Sequence, residues 1–314
     1  MTGFWGILIW TWMCPPSLAF WMWTPETNRW VNPKYVVKET PKAQFEYARE
    51  FYRTKEYPKA IAEFKKLIQH YPRAREAAEA QYYIGLSLEK EEKPYEAFKA
   101  YQQVIEKYPF SERSPQVIEK QFRIGERLLK GDQKKSKFVE AVTGGDYSLV
   151  EVFRAVIKNA PYGPYAASAQ YKIGLYLKAK ELYQEARDEF EKVVNDYPES
   201  EWAKAAQYQL ALVDAERSSS AQYDQKTTQA AVDGFKDFVK TYPNAQLSKE
   251  AQDHIQNLRT KEAHNAFLIA HFYEKQKNYK AAKIYYAAII DDYQNTVWAA
   301  KSLEKIRELE RKTQ

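Results

Sequence analysis

With Cys14 as its one cysteine, the chain cannot form an internal disulfide or a cysteine-based metal site. Glycine and proline are scarce, at 10 and 14 in 314 residues, which argues against collagen-like, linker-like or turn-dense all-β chains. There is no phosphate-binding glycine loop, no G-x-S-x-G and no H-E-x-x-H. His70, His254, His264 and His271 are scattered, and His264 with His271, seven apart, reads as a packing or surface pair rather than a metal site. The expectation is therefore no catalysis, no cofactor and no metal. Charge of one sign is also missing: 48 basic and 42 acidic residues leave a net +6 spread along the chain, the mark of a mixed surface and not of a nucleic-acid footprint.

Charge is absent altogether before Glu26. Phe4 to Met13 (FWGILIWTWM) is apolar but shorter than the roughly 20 residues of a membrane span, and Ser17-Leu18-Ala19 places small residues where a signal peptidase reads. This predicts a signal peptide over residues 1–19, cleaved after Ala19; the alternative is an uncleaved membrane-surface anchor. Cys14 is the candidate lipidation site, although Thr11-Trp12-Met13 are bulky where a lipoprotein signal has small residues; otherwise Cys14 leaves with the signal. Residues 20–39 form an extended aromatic segment, with Trp23 and Trp30 placed for a hairpin over Pro25 to Asn28.

What the chain has in abundance is tyrosine, 25 of them, and a repeat explains it. Tyr71-Pro72, Tyr108-Pro109, Ala160-Pro161, Tyr197-Pro198, Tyr242-Pro243 and a degenerate Tyr293-Gln294 punctuate residues 40–314. Twelve residues before each proline position stands a small or aliphatic residue (Ala60, Ala97, Leu149, Ala186, Ala231, Ala282), and eight before it an aromatic (Phe64, Tyr101, Phe153, Phe190, Phe235, Tyr286). Upstream in each unit a small residue (Ala48, Gly85, Gly125, Gly174, Ala211, Ala270) follows an aromatic by three positions: Phe45, Tyr82, Phe122, Tyr171, Tyr208 and Phe267. Gln44, Gln81, Gln121, Gln170 and Gln207 precede the first five of those aromatics, a pattern that suits inter-helix hydrogen bonds. Small and aromatic positions at helical spacing mark packed seams. The undisturbed spacing of twelve between the small residue and the following alanine matches the tetratricopeptide half-motif.

The predicted fold is all-α, a tetratricopeptide-repeat solenoid of about six helical hairpins in a right-handed superhelix, with N-terminal repeats over 40–160 and C-terminal repeats over 161–314. Three departures from the spacing predict insertions: Lys130 to Gly145, Ser218 to Asp224, and an extra helical stretch near Leu247 to Glu262. First helices of such hairpins line the concave side, so the candidate partner-binding stripe is Phe45, Arg49, Tyr52, Tyr82 and Leu86, suited to an extended apolar-aromatic peptide with its carboxylate or carbonyls on Arg49. For Phe45 and Tyr82 plain core packing is the competing reading.

The Tyr-Pro hairpins behind an export signal, the segment Asn159-Ala160-Pro161-Tyr162-Gly163-Pro164-Tyr165-Ala166, the insertion in the third unit and Tyr223-Asp224-Gln225 in the fifth resemble the BamD family of outer-membrane β-barrel assembly lipoproteins, over roughly Thr40 to Leu309. The resemblance implies a non-enzymatic scaffold in the periplasm, at the inner face of the outer membrane. Its partners would be the periplasmic domains of the barrel insertase, unfolded outer-membrane protein C-terminal segments and other assembly-machine subunits, with membrane contact only through partners or a lipid anchor. The other reading is a general cell-envelope adaptor of the TolA-binding or division-coordinator type, although no sustained heptads precede Thr40.

Overall fold

Thr40 opens the helical body: its Oγ1 accepts from the Ala43 amide at 3.2 Å, and Pro41 takes the first helical position, where no amide partner is needed. The computed structural model describes residues 22–24, 29–31, 36–132, 148–220 and 225–313. The expected signal peptide and Cys14 lie outside them, as does most of the first expected insertion. Among the described residues thirteen helices follow: α1 Pro41–Arg53, α2 Tyr57–His70, α3 Arg75–Lys90, α4 Pro94–Lys107, α5 Ser114–Asp132, α6 Ser148–Asn159, α7 Ala166–Ala179, α8 Tyr183–Asp196, α9 Glu201–Ser220, α10 Gln225–Thr241, α11 Gln246–Lys275, α12 Tyr279–Asp292 and α13 Val297–Thr313. They pair as six antiparallel hairpins, with α13 closing the last. By compactness the chain forms two units, Met1–Val117 and Ile118–Gln314.

Ahead of the helices, β1 (Met22–Thr24) and β2 (Arg29–Val31) pair antiparallel with Trp23 opposite Trp30. Their rings meet edge to face at 5.7 Å, and both remain exposed.

The turn inside each undisturbed hairpin has one chemistry. Lys55, Glu92, Glu181 and Lys277 all adopt left-handed backbone, with φ between 59° and 64°. Each closes its first helix with the paired bonds of a Schellman motif, as where the Lys55 amide donates to the Tyr52 carbonyl at 3.1 Å and the Glu56 amide to the Phe51 carbonyl at 2.8 Å. Between hairpins, the carbonyl of the Tyr in Tyr-Pro accepts from the amide three residues on, at Ala74, Ser111, Ser200 and Ala245. Proline presets this turn and ends the helix. Gln294 replaces that proline in the last unit, yet the turn persists, because Thr296 supplies both its amide at 3.0 Å and its hydroxyl at 2.8 Å to the Tyr293 carbonyl.

Within every hairpin one ring from the first helix packs on one ring from the second. The centroid distances are 5.6 Å for Phe45–Phe64, 5.7 Å for Tyr82–Tyr101, 5.8 Å for Phe122–Phe153, 5.5 Å for Tyr171–Phe190, 5.6 Å for Tyr208–Phe235 and 5.2 Å for Phe267–Tyr286. Such a pair adds about 0.5–1.5 kcal/mol beyond its buried area. The second-helix ring lies flat over the small residue of the first: a Cβ on Gly174 would come within 2.7 Å of Phe190 Cε1, and one on Gly125 within 2.6 Å of Phe153 Cε1. The glutamines bridge the same helices, Gln44 Nε2 donating to the Glu63 carbonyl at 3.1 Å and Gln81 Nε2 to that of Ala100 at 2.9 Å. Gln121 accepts from Asn159 at 2.9 Å, and Gln170 donates to the buried Glu189 carboxylate.

The expected extra stretch near Leu247 to Glu262 is helical but not separate. It is the first half of the 30-residue α11, since no glycine or proline stands between Leu247 and Lys275 to break the ladder. Ala251 and Leu258 on that half pack into the core of α9 and α10, while Ala263 and Ala270 join the core of α12 and α13.

Candidate functional site

Two surfaces carry the chemistry of a binding protein, one in each unit. In the first, the expected stripe divides. Phe45 and Tyr82 are 7% and 8% exposed and are the first two members of the inter-helix ring series. Their reading as partner contacts is corrected: the rings are spent on the core. Tyr82 is further covered by the Arg113 guanidinium, 5.0 Å above the ring and held by Glu79 at 2.8 Å.

Arg49, Tyr52 and Leu86 remain half-buried. Arg49 and Tyr52 lie one turn apart on α1, and Leu86 follows Gly85 on α3 as Arg49 follows Ala48 on α1. Arg49 Nη2 pairs with Glu46 at 2.5 Å, while its Nε is buried without a hydrogen-bond partner. Tyr52 meets Tyr57 and Tyr83 edge to face at 5.7 and 5.3 Å; burial, followed by its tyrosine neighbours and Glu89, raises its hydroxyl pKa. Tyr83 is the hub of this cluster, within 5.5 Å of Phe45, Tyr52 and Phe64.

In the second unit, α11 and α12 leave apolar side chains in water. Leu268, Ile269 and Phe272 share a face of α11, and Phe272 is 57% exposed; on α12, Ile284 is 63% exposed beside Tyr285. Phe272 touches Tyr273 at 5.8 Å, and across the hairpin Tyr273 stacks on Tyr285 at 5.1 Å. Phe272 and Ile284 each stand two residues from the buried seam of Ala270, Ala282 and Tyr286, so each helix turns its own apolar face outward. Between the two helices the sixth hairpin is latched. Tyr286 donates to Glu274 at 2.8 Å, with His271 at 3.3 Å and Lys305 at 3.4 Å completing the carboxylate's shell. Burial pushes this carboxyl pKa up, but bonds from Tyr286, His271 and Lys305 outweigh it and leave it lowered. The same latch recurs in the second hairpin, where Tyr101 donates to Glu89 at 3.0 Å.

The histidines fall to packing. His264 stacks on Trp298 at 4.2 Å, and His271 does have a carboxylate within reach, Glu274, which the latch engages. Among the described residues no cluster of metal-ligating side chains occurs, and no helix is long and apolar enough to cross a membrane.

Sequence reasoning missed the exposed apolar face of α11. The signal was present: Ala266 to Tyr273 is apolar at every position but His271, more than one seam of a hairpin can bury.

A profile described as YfiO, outer membrane lipoprotein, matches residues 136–314, more than half of the chain and the whole of this second surface. The chain belongs to the YfiO family of outer membrane lipoproteins. A tetratricopeptide-repeat profile matches residues 79–111, the hairpin of α3 and α4. Two relatives of this YfiO-family chain bear the name outer membrane protein assembly factor BamD. The protein of Caulobacter vibrioides is 25% identical over 159 residues, 51% of this chain and 52% of the relative. That of Rickettsia prowazekii is 29% identical over 134 residues, 43% of this chain and 53% of the relative. The chain thus spans about half the length of the curated relatives it matches. Among solved structures, a tetratricopeptide-repeat protein of Cytophaga hutchinsonii, represented by its C-terminal part, aligns over 84% of this chain and 88% of its own at 15% identity and TM-score 0.37. YrrB, a tetratricopeptide-repeat protein with an unusual peptide-binding site, aligns over 67% of this chain and 90% of its own at 15% identity and TM-score 0.34. At these scores neither adds to the fold derived above.

Proposed function

We propose that this chain is a non-enzymatic scaffold of the machine that assembles β-barrel proteins in the outer membrane, working on the periplasmic side. In this reading the repeats over 40–160 hold unfolded barrel segments and those over 161–314 dock on the barrel insertase. The observation that carries it is the exposed apolar face of α11, Leu268, Ile269 and Phe272, which lies inside the family-matched region on a hairpin whose core is otherwise filled. Contiguous apolar surface on a soluble face marks an interaction site, and its aromatic content suits the desolvated centre of an interface.

The test is affinity capture from crosslinked envelopes with wild type and with a Leu268→Glu, Phe272→Glu double variant. Both residues are exposed, so stability should move by less than about 0.5 kcal/mol per site, while recovery of the barrel insertase falls at least about tenfold. Unchanged recovery sinks the docking surface, and recovery of inner-membrane or wall factors alone favours the general adaptor.

For the first unit, the unpartnered Nε of Arg49 beside Tyr52 supports capture of a peptide carboxylate or carbonyl. Arg49→Glu with Tyr52→Ala is expected to weaken binding of a barrel C-terminal peptide about tenfold by fluorescence anisotropy. Equal affinity would retire Arg49, Tyr52 and Leu86 as the site.

A further inference from the structure

The first unit has a cleft on the face opposite its first-helix stripe. About 420 Å3 in volume, it runs between α2 and α4 with α3 as its floor. Ile61 and Ile68 of α2 and Ile84 and Leu88 of α3 make its interior apolar, and Lys65, Lys99 and Lys107 stand exposed along its two rims. Among the described residues none of the three has a carboxylate within ion-pair distance, unlike Lys59, Lys66 and Lys93 of the same unit but like Lys38, Lys42, Lys55 and Lys90; Lys107 donates to Gln103 Oε1 at 3.4 Å. Lys99 is steadied instead by the Tyr95 ring, 4.4 Å from its ammonium. Glu96 is the one acidic residue lining the cleft.

An aliphatic trough between unneutralised ammonium groups calls for an occupant with the opposite pattern. We propose that this cleft binds an acidic amphipathic segment of a partner protein, aliphatic along one side and carrying Asp or Glu on both flanks. From Glu96 to Lys107 the α4 rim extends about 16 Å at 1.5 Å per residue, room for about three turns of helix. The wall chemistry selects protein over nucleic acid or phosphate. No arginine fork and no aromatic ring lines the cleft, and the backbone amides of its walls are committed to helix hydrogen bonds. The inference concerns the first unit alone and stands independently of the barrel-assembly reading.

The test uses the full chain and a fluorescein-labelled helical peptide of about 14 residues with leucine at i, i+3, i+4 and i+7 and glutamate elsewhere. Anisotropy should show saturable binding that weakens about tenfold in a Lys65→Glu, Lys99→Glu, Lys107→Glu variant and falls with added salt. Replacing the peptide's leucines with serine should lose a similar factor, and Lys280→Glu, exposed on α12, should change nothing. Helical circular dichroism and the melting temperature confirm that the triple variant is folded, as its exposed positions lead one to expect. The proposal is overturned by absence of saturable binding, by equal binding of a lysine-for-glutamate peptide, or by phosphatidylglycerol vesicles or oligothymidine responding to the triple substitution where the peptide does not.

Discussion

Phe190→Ala is expected to destabilise the second unit by about 3–5 kcal/mol. Phe190 is fully buried between Gly174, over which its ring lies, and Tyr171, 5.5 Å from it. Truncation opens a cavity that neither glycine nor the flanking helices can fill. Urea denaturation gives the size of the loss, and hydrogen exchange locates it, with α7 and α8 losing protection first because each hairpin is stabilised by its immediate neighbours. A loss below about 1 kcal/mol would mean the hairpin relaxes onto the missing ring, contrary to a close-packed seam.

Gly85→Val tests the same seam from the other side, in the first unit. A Cβ there would lie 2.6 Å from Tyr101 Cδ1 and 2.8 Å from Cζ, and that ring cannot swing away, being fully buried and tied through its hydroxyl to Glu89. Overpacking of this kind costs about 3 kcal/mol or more, at the upper end of its usual range. Tyr101→Leu in the Gly85→Val background should recover part of the loss, and a double-mutant cycle reads the coupling. Strict additivity of the two substitutions would show that the glycine is not there to receive the ring.

These two sites show why so much of the fold was legible. The small residue at Gly85 or Gly174 and the ring sixteen positions later are fixed by one steric requirement, and a steric requirement repeats with the unit. The turn residues were legible for the same reason, down to Tyr293-Gln294, whose missing proline Thr296 offsets. The latches went unread, although the signal is there: Glu89 and Glu274 appear where the second-helix ring is tyrosine, while Tyr52, Leu129, Lys178 and Ala215 hold that position in the hairpins that use phenylalanine. The site was less legible, because periodicity shows that a residue lies on a face without showing what covers that face. Phe45 and Tyr82 carry the chemistry of ligand contacts and are core; Phe272 and Ile284 carry the chemistry of core and stand in water. The spacing anomaly after Pro243 revealed extra helix, but only the missing breaker between Leu247 and Lys275 decides that it continues into the next hairpin.

That continuity has a mechanical meaning. At about 1.5 Å per residue, α11 is a rod of about 45 Å, gripped near one end by Phe235 and Phe238 and near the other by Tyr286. With neither glycine nor proline to interrupt it, one backbone ladder ties the face that carries Phe272 to the core of the fifth hairpin, so the two can be parted only by breaking the helix between them.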